Sequence, residues 1–271
     1  MRAPLEQFPW PVERGQRVQI QPWILIVAAP FLGSFAECLA QRLPLHRPVV
    51  AARSQCDKCA AVLGPLELVP VVSWLALGGK CSHCRTRISP ISTVAELSAA
   101  ALALWAVVVV PGWLVWPTAA LGWTLLTLAL MDFHHFVLAD ILVLPLLAIG
   151  IVVSFALSEE QGMASVIGAV IGGGGAFAVR EIYRRVRGRD GLGLGDVKLL
   201  AAAGAWVSWQ GLPSVLFIAS VSALAVWLAL WAFKSRAEFP LNGAQRVPFG
   251  IFLALGLWIV WLHGPLQFSL A

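Results

Sequence analysis

Long apolar runs separated by short polar breaks dominate this chain. Runs at about 22–39, 93–110, 112–131, 136–157, 162–182, 194–210, 212–233 and 247–266 are each close to the ~20 residues that cross a hydrocarbon core of roughly 30 Å. The breaks fall at the polar segment 42–92, at Pro111-Gly112, between Asp132 and His135, at Glu159-Glu160, in a basic loop, at Gly211–Pro213 and in a second basic loop. The pattern predicts an all-α, polytopic integral membrane protein of about eight transmembrane helices, the one bearing Asp196 being the shortest. Four parts follow: an N-terminal tail (1–20), a first transmembrane helix (21–41), a polar loop (42–92) and a membrane core of about seven helices (93–271). Glu37 directly before Cys38 makes a poor processing site, so the first run reads as an uncleaved anchor. The Gly172–Gly175 run reads as close helix packing rather than a linker.

Composition supports this reading. Of 271 residues, 59% are hydrophobic and 12% charged, and the mean hydropathy of +0.81 is far too high for a soluble domain. The 13 Trp and 24 Gly suit a membrane protein, because Trp anchors at the bilayer interface and Gly is common in membrane helices. The net charge of +5 comes without a basic stripe interleaved with aromatics, which argues against nucleic acid. The positions of the charges are more telling. Arg42, Arg47, Arg53, Lys58, Lys80, Arg85 and Arg87 lie in the first polar loop; Arg180, Arg184, Arg185, Arg187, Arg189 and Lys198 lie in or beside a second; Lys234, Arg236 and Arg246 lie in a third. With eight spans these loops share one side, and only the N-terminal Arg2, Arg14 and Arg17 oppose the trend. The positive-inside rule then puts the basic loops in the cytosol and both termini outside.

Two carboxylates fall at similar depth on the cytosolic side. Asp132 ends the third run, and Asp196 opens the sixth within Gly191-Leu192-Gly193-Leu194-Gly195-Asp196-Val197-Lys198. A pair of carboxylates sharing a site cannot both ionise cheaply, so one holds a proton while the other acts as base toward water. The alternative is that each caps a helix end. Gly193 and Gly195 permit close backbone approach to a substrate strand, and Lys198 is placed to bias the pair or to bind substrate. Asp140, about a turn into the fourth run, is either a functional intramembrane acid or a water-exposed helix start.

Cys56, Cys59, Cys81 and Cys84 are spaced C-x2-C-x21-C-x2-C, which suits a closed tetrahedral structural zinc site. A cytosolic location keeps such thiols reduced. Cys38 reads as a small buried apolar residue. Glu37 is expected to pair with Arg42, Glu96 to sit favourably at a helix N-terminus, and His134 and His135 to be solvated at the interface.

These residues also resemble a known family, the type IV prepilin peptidases, membrane aspartyl proteases of the GXGD class. Gly193-Leu194-Gly195-Asp196-Val197-Lys198-Leu199 is similar to its G-x-G-D-x-K-L, and Met131-Asp132 with Leu138-Ala139-Asp140 is similar to its I-D…L-P-D. Gly33-Ser34-Phe35 with Arg42-Leu43-Pro44, Val72-Ser73-Trp74-Leu75 before Gly79-Lys80-Cys81, and Pro248-Phe249-Gly250-Ile251-Phe252-Leu253 extend the resemblance from about Gly33 to Gly256. It implies a catalytic pair, Asp132 and Asp196, that cuts the basic leader from type IV prepilins or type II secretion pseudopilins at the cytosolic face of the bacterial inner membrane. It also implies N-methylation of the new N-terminus from S-adenosylmethionine. Three positions depart from the pattern: Ala139 replaces a proline, Glu37 an asparagine and Ile251 a proline.

Anionic lipid headgroups are the expected partner of the basic loops, and no nucleic acid partner is expected. The rival readings are a proton-coupled transporter using Asp140 and Asp196, and a non-enzymatic scaffold for pilus or secretion assembly. The sequence assigns no residues to the methyl donor and no oligomeric state.

Overall fold

A computed structural model describes residues 22–49, 54–56, 58–233 and 248–266. The N-terminal tail 1–20, Arg53, Asp57, Lys234, Arg236 and Arg246 lie outside the described residues. Helices account for the architecture: α1 Pro22–Arg42, a five-residue α2 Val72–Ala76, α3 Ile91–Val109, α4 Val115–His135, α5 Asp140–Leu157, α6 Glu159–Arg187, α7 Leu194–Phe233 and α8 Phe249–His263. Among the described residues, six helices are long and apolar enough to cross a membrane, and α8, with 15 residues, is shorter. The chain divides into two compact units, one ending at His134 and the other beginning at His135.

The unit that ends at His134 is built on small residues. Ala29, Ala36 and Ala40 of α1 and Ala95, Ala99, Ala103 and Ala106 of α3 are buried, so these two backbones can approach closely, as membrane helices do where no bulky side chain intervenes. Gly33 marks the tightest point. A Cβ there would lie 2.6 Å from the backbone of Ala95 and Glu96. Trp123 of α4 donates its indole N–H to the Ala99 carbonyl at 3.2 Å, tying α4 to α3.

In the other unit, α6 has both ends complemented. The Ser158 hydroxyl caps its N-terminus by accepting from the Gln161 amide at 3.1 Å, Glu159 and Glu160 occupy the first turn, Arg184, Arg185 and Arg187 the last, and Gly188 ends it with φ 65°. These caps extend the helix beyond the apolar run of 162–182.

The largest difference from the expected segmentation concerns α7. Its interruption lies at Ser208, with φ 59° and ψ 179°, and not at Gly211–Pro213. The chain reverses there: Gly172 of α6 meets Leu200 before the break and Leu212 after it, while Gly168 meets Gly204, Ser208 and Trp209. Gly168 and Gly204 bring two helix backbones into direct contact. Trp206 fills the space alongside, donating to the Leu146 carbonyl at 2.9 Å and standing edge-on to Trp261 with ring centroids 4.8 Å apart. Of the glycine run, Gly172 and Gly173 pack against α7, whereas Gly174 and Gly175 face nothing within 4 Å.

Candidate functional site

Asp196 lies in the first turn of α7, half-buried. The loop that delivers it is held from α6. Arg180 donates to the Leu192 carbonyl at 3.0 Å and to the Asp190 carboxylate at 2.9 Å. Each glycine of the motif meets a different neighbour: a Cβ on Gly191 would strike the Tyr183 ring at 2.5 Å, one on Gly195 would come within 2.9 Å of Leu138, and one on Gly193 would sit 3.2 Å from the Asp196 carboxylate. Gly193 is thus the position at which a side chain would crowd the acid itself.

Asp140 is the first residue of α5, with its side chain 55% exposed. It is a helix start, favoured there by the exposed N–H groups, and does not lie a turn inside the span. Ala139, at the departure from the family proline, is extended (φ −75°, ψ 128°) and precedes the helix as its cap residue. Lys198 donates to both oxygens of Asp140 at 2.7 Å. The starts of α5 and α7 and the last turns of α6 therefore meet at one end of this unit. A cavity of about 380 Å³ lined by Ser154, Ser158, Gln161, Trp206, Ser208 and Gly264 lies at the other end, away from Asp196.

Asp132 is 6% exposed and sits one turn before the end of α4, which continues to His135 and stops where Phe136 adopts φ 54°. Asp132 is therefore not placed to cap its own helix. A carboxylate caps a helix at its N-terminus, and the C-terminal turn offers it only carbonyl groups. Asp132 belongs to the unit that ends at His134, Asp196 to the unit that begins at His135.

Two residues beyond Asp132, the His134 imidazole Nε2 lies 3.0 Å from Glu37 Oε1, which also accepts from Gln41 at 2.6 Å. Glu37 is 3% exposed. The pairing corrects two expectations, because Glu37 turns to α4 and His134 is engaged by it. Contacts between residues 97 apart leave no local signal in a sequence. Glu96 corrects a further expectation: α3 begins at Ile91 with no acid in its first turn, so Glu96 lies inside the helix rather than at its start, where it accepts from the Val71 amide at 2.7 Å; Val71 has φ 60°, ψ −51°, rare for a β-branched residue.

The four paired cysteines converge. Their sulfurs all lie within 4.8 Å of one another, with Cys56 and Cys84 at 3.8 Å. Tetrahedral zinc with Zn–S bonds of about 2.3 Å requires sulfurs roughly 3.8 Å apart, so the donor set fits a metal. The two knuckles share one backbone design. The Cys56 and Cys81 amides donate to the Ala61 and Thr86 carbonyls, and the Ala60 and Arg85 amides donate back to the Cys56 and Cys81 carbonyls. Ala60 and Arg85 both take positive φ, 54° and 60°. Hydrogen bonds from the Thr86 side chain and backbone draw the Cys84 thiol down to about 6. The Cys59 backbone, followed by that of Lys58, lowers Cys56. At Cys59 the Ala61 backbone acts downward, but desolvation and the neighbouring thiols carry it up to about 11. Glu67 clasps the fold from outside, accepting from the Gly64 amide at 2.7 Å and from the Ser82 hydroxyl; Ser82, then Gly64, hold its carboxyl below the usual range.

Comparison with known proteins decides the affiliation. The family model described as the bacterial peptidase A24 N-terminal domain matches residues 27–110, and that of the type IV leader peptidase family matches residues 119–228. A prepilin leader peptidase/N-methyltransferase of Burkholderia pseudomallei (strain 1026b) is 39% identical over 223 residues, covering 82% of this chain and 70% of its own.

The chain belongs to the type IV leader peptidase family.

A protein of the same name from Pseudomonas aeruginosa PAO1 is 35% identical over 223 residues (80% of this chain, 73% of that one), and one from Stutzerimonas stutzeri is 35% identical over 275 residues (88% and 89%). No solved structure matches the chain. Within the family framework, Glu37 and the four cysteines fall in the N-terminal match, and Asp132, Asp140, Asp196 and Lys198 in the peptidase match.

Proposed function

We propose that this protein removes the leader peptide from type IV prepilins or type II secretion pseudopilins and then methylates the exposed N-terminal amine. Two features support the reading: membership of a family whose relatives bear both activities in their names, and Asp132, a carboxylate buried in the last turn of a helix whose end it is not placed to cap. Neither a proton-coupled transporter nor a non-enzymatic scaffold gains support, because the relatives are named as enzymes.

Asp132 and Asp196 are assigned as the catalytic pair. One, ionised, takes a proton from a water as that water attacks the scissile carbonyl, while the other, protonated, donates to the carbonyl oxygen. Collapse of the tetrahedral intermediate breaks the C–N bond, and the leaving amine receives the remaining proton. Gly193 keeps the space beside Asp196 open, and Lys198, held by Asp140, fixes the first turn of α7 from which Asp196 projects. S-adenosylmethionine would supply the methyl group, and no residue is assigned to it. Zinc held by Cys56, Cys59, Cys81 and Cys84 closes the 42–92 loop without an open position for catalysis.

Orientation follows from the basic residues. The helix ends carrying Asp132, Asp140 and Asp196 face the cytosol, both termini face the periplasm, and the arginines of α6 lie against anionic headgroups of the inner membrane. A scissile bond just before a pilin's own membrane helix would reach this depth. The test uses purified full-length chain in detergent with a synthetic prepilin. Leader release without additions, and gain of one methyl group only when S-adenosylmethionine is present, is the expected result. Absence of leader release would overturn the reading.

A further inference from the structure

Glu37 stands where the resembling family usually carries asparagine, and this chain gives the carboxylate a partner. Glu37 on α1 is 3% exposed, its Oε1 meets both Gln41 at 2.6 Å and His134 Nε2 at 3.0 Å, and its Oε2 is buried with no hydrogen-bond partner. A carboxylate so deeply buried is costly unless paired. One that leaves an oxygen unsatisfied is poorly explained as a stabilising device. His134, 20% exposed at its side chain, lies in the last turn of α4 two residues beyond Asp132. Its ring also stands edge-on to Phe133, with centroids 5.3 Å apart.

We propose that Glu37 is a positioning residue for Asp132 that acts through His134. Residues two apart on a helix are separated by about 200° around its axis, so holding the His134 ring from one side fixes the direction in which Asp132 points on the other. The lever is sensitive. A carboxylate about 5–6 Å from a helix axis moves by ~1 Å when the helix turns by ~10°, and a misplacement of ~1 Å can cost about 100-fold in rate. The α4 C-terminus needs such an anchor because it ends on Phe136, a left-handed non-glycine residue, and not on a capping glycine. This inference rests on the assignment of Asp132 to the catalytic pair.

The experiment measures kcat and KM for leader cleavage by the full chain in detergent, with melting temperatures, for wild type, D132N, E37Q, E37L, H134L and E37L/H134L. Glutamine keeps an acceptor for His134 and Gln41, so E37Q is expected to lose less than about threefold in kcat. E37L, H134L and the double variant should each lose ~30- to 100-fold in kcat with KM within about twofold of wild type. The double variant, which removes the buried polar pair altogether, should melt no lower than either single variant and be no slower. If E37L does not fold, E37Q and the double variant decide. A double variant as fast as wild type while D132N is inactive would overturn the positioning role alone, as would E37Q as slow as H134L or a change confined to KM. D132N cleaving at the wild-type rate would instead remove the catalytic assignment beneath it.

Discussion

Lys198 donates to both carboxylate oxygens of Asp140, each at 2.7 Å, across 58 residues of chain. The pair joins the start of α5 to the start of α7, two residues past Asp196. Both side chains are substantially exposed, 39% and 55%, so the pair is a guide to geometry more than a source of stability. Exposed ion pairs contribute ~0.2–1 kcal/mol, which corresponds to no more than about fivefold in rate. K198M and D140N should therefore each lower kcat/KM for leader cleavage modestly, and the double variant should be no worse than either. Steady-state kinetics at low and high salt checks this, with the wild-type advantage shrinking as salt rises.

The metal assignment predicts about one zinc per chain in freshly reduced protein, measured by elemental analysis. Serine at Cys56 and Cys81 should abolish it, since thiolates are the ligands and a hydroxyl is a poor replacement. Because the site is closed, removing zinc with a chelator should lower the melting temperature and leave the 42–92 segment open to protease, a stability effect preceding any loss of turnover.

The glycine run in α6 separates packing from propensity. Alanine at Gly168 would press a Cβ onto the Gly204 backbone, and overpacking of this kind costs about 1–3 kcal/mol. Alanine at Gly174, which faces nothing within 4 Å, should be neutral or stabilising by up to ~1 kcal/mol from helix propensity. Melting temperatures of G168A and G174A in the same detergent report the contrast.

Particular residues show how far the sequence could be read. The cysteine spacing and the apolar runs were legible because metal geometry and bilayer thickness impose their periods locally. The reversal in α7 was legible as a break between two runs but was expected at Gly211–Pro213; it uses Ser208, between Val207 and Trp209, and leaves Gly211 and Pro213 inside the second arm. Around it, Gly168 meets Gly204, Ser208 and Trp209, tertiary contacts that no local sequence pattern announces. The sequence left Asp140 open between an intramembrane acid and a water-exposed helix start, because the apolar run starts before it; the helix itself begins at Asp140, which is the second reading. The knuckles conceal their left-handed turns, because Ala60 and Arg85 stand where glycine would have announced them. The link from Glu37 to His134 required the fold.

The central claim is that Asp132 and Asp196 cleave together. Its most direct measurement is leader release from a prepilin by purified D132N and D196N, each shown to be folded and membrane-embedded. The account predicts that either substitution alone abolishes detectable cleavage, because the remaining aspartate lacks its acid or base partner. Cleavage near the wild-type rate by either variant would contradict it.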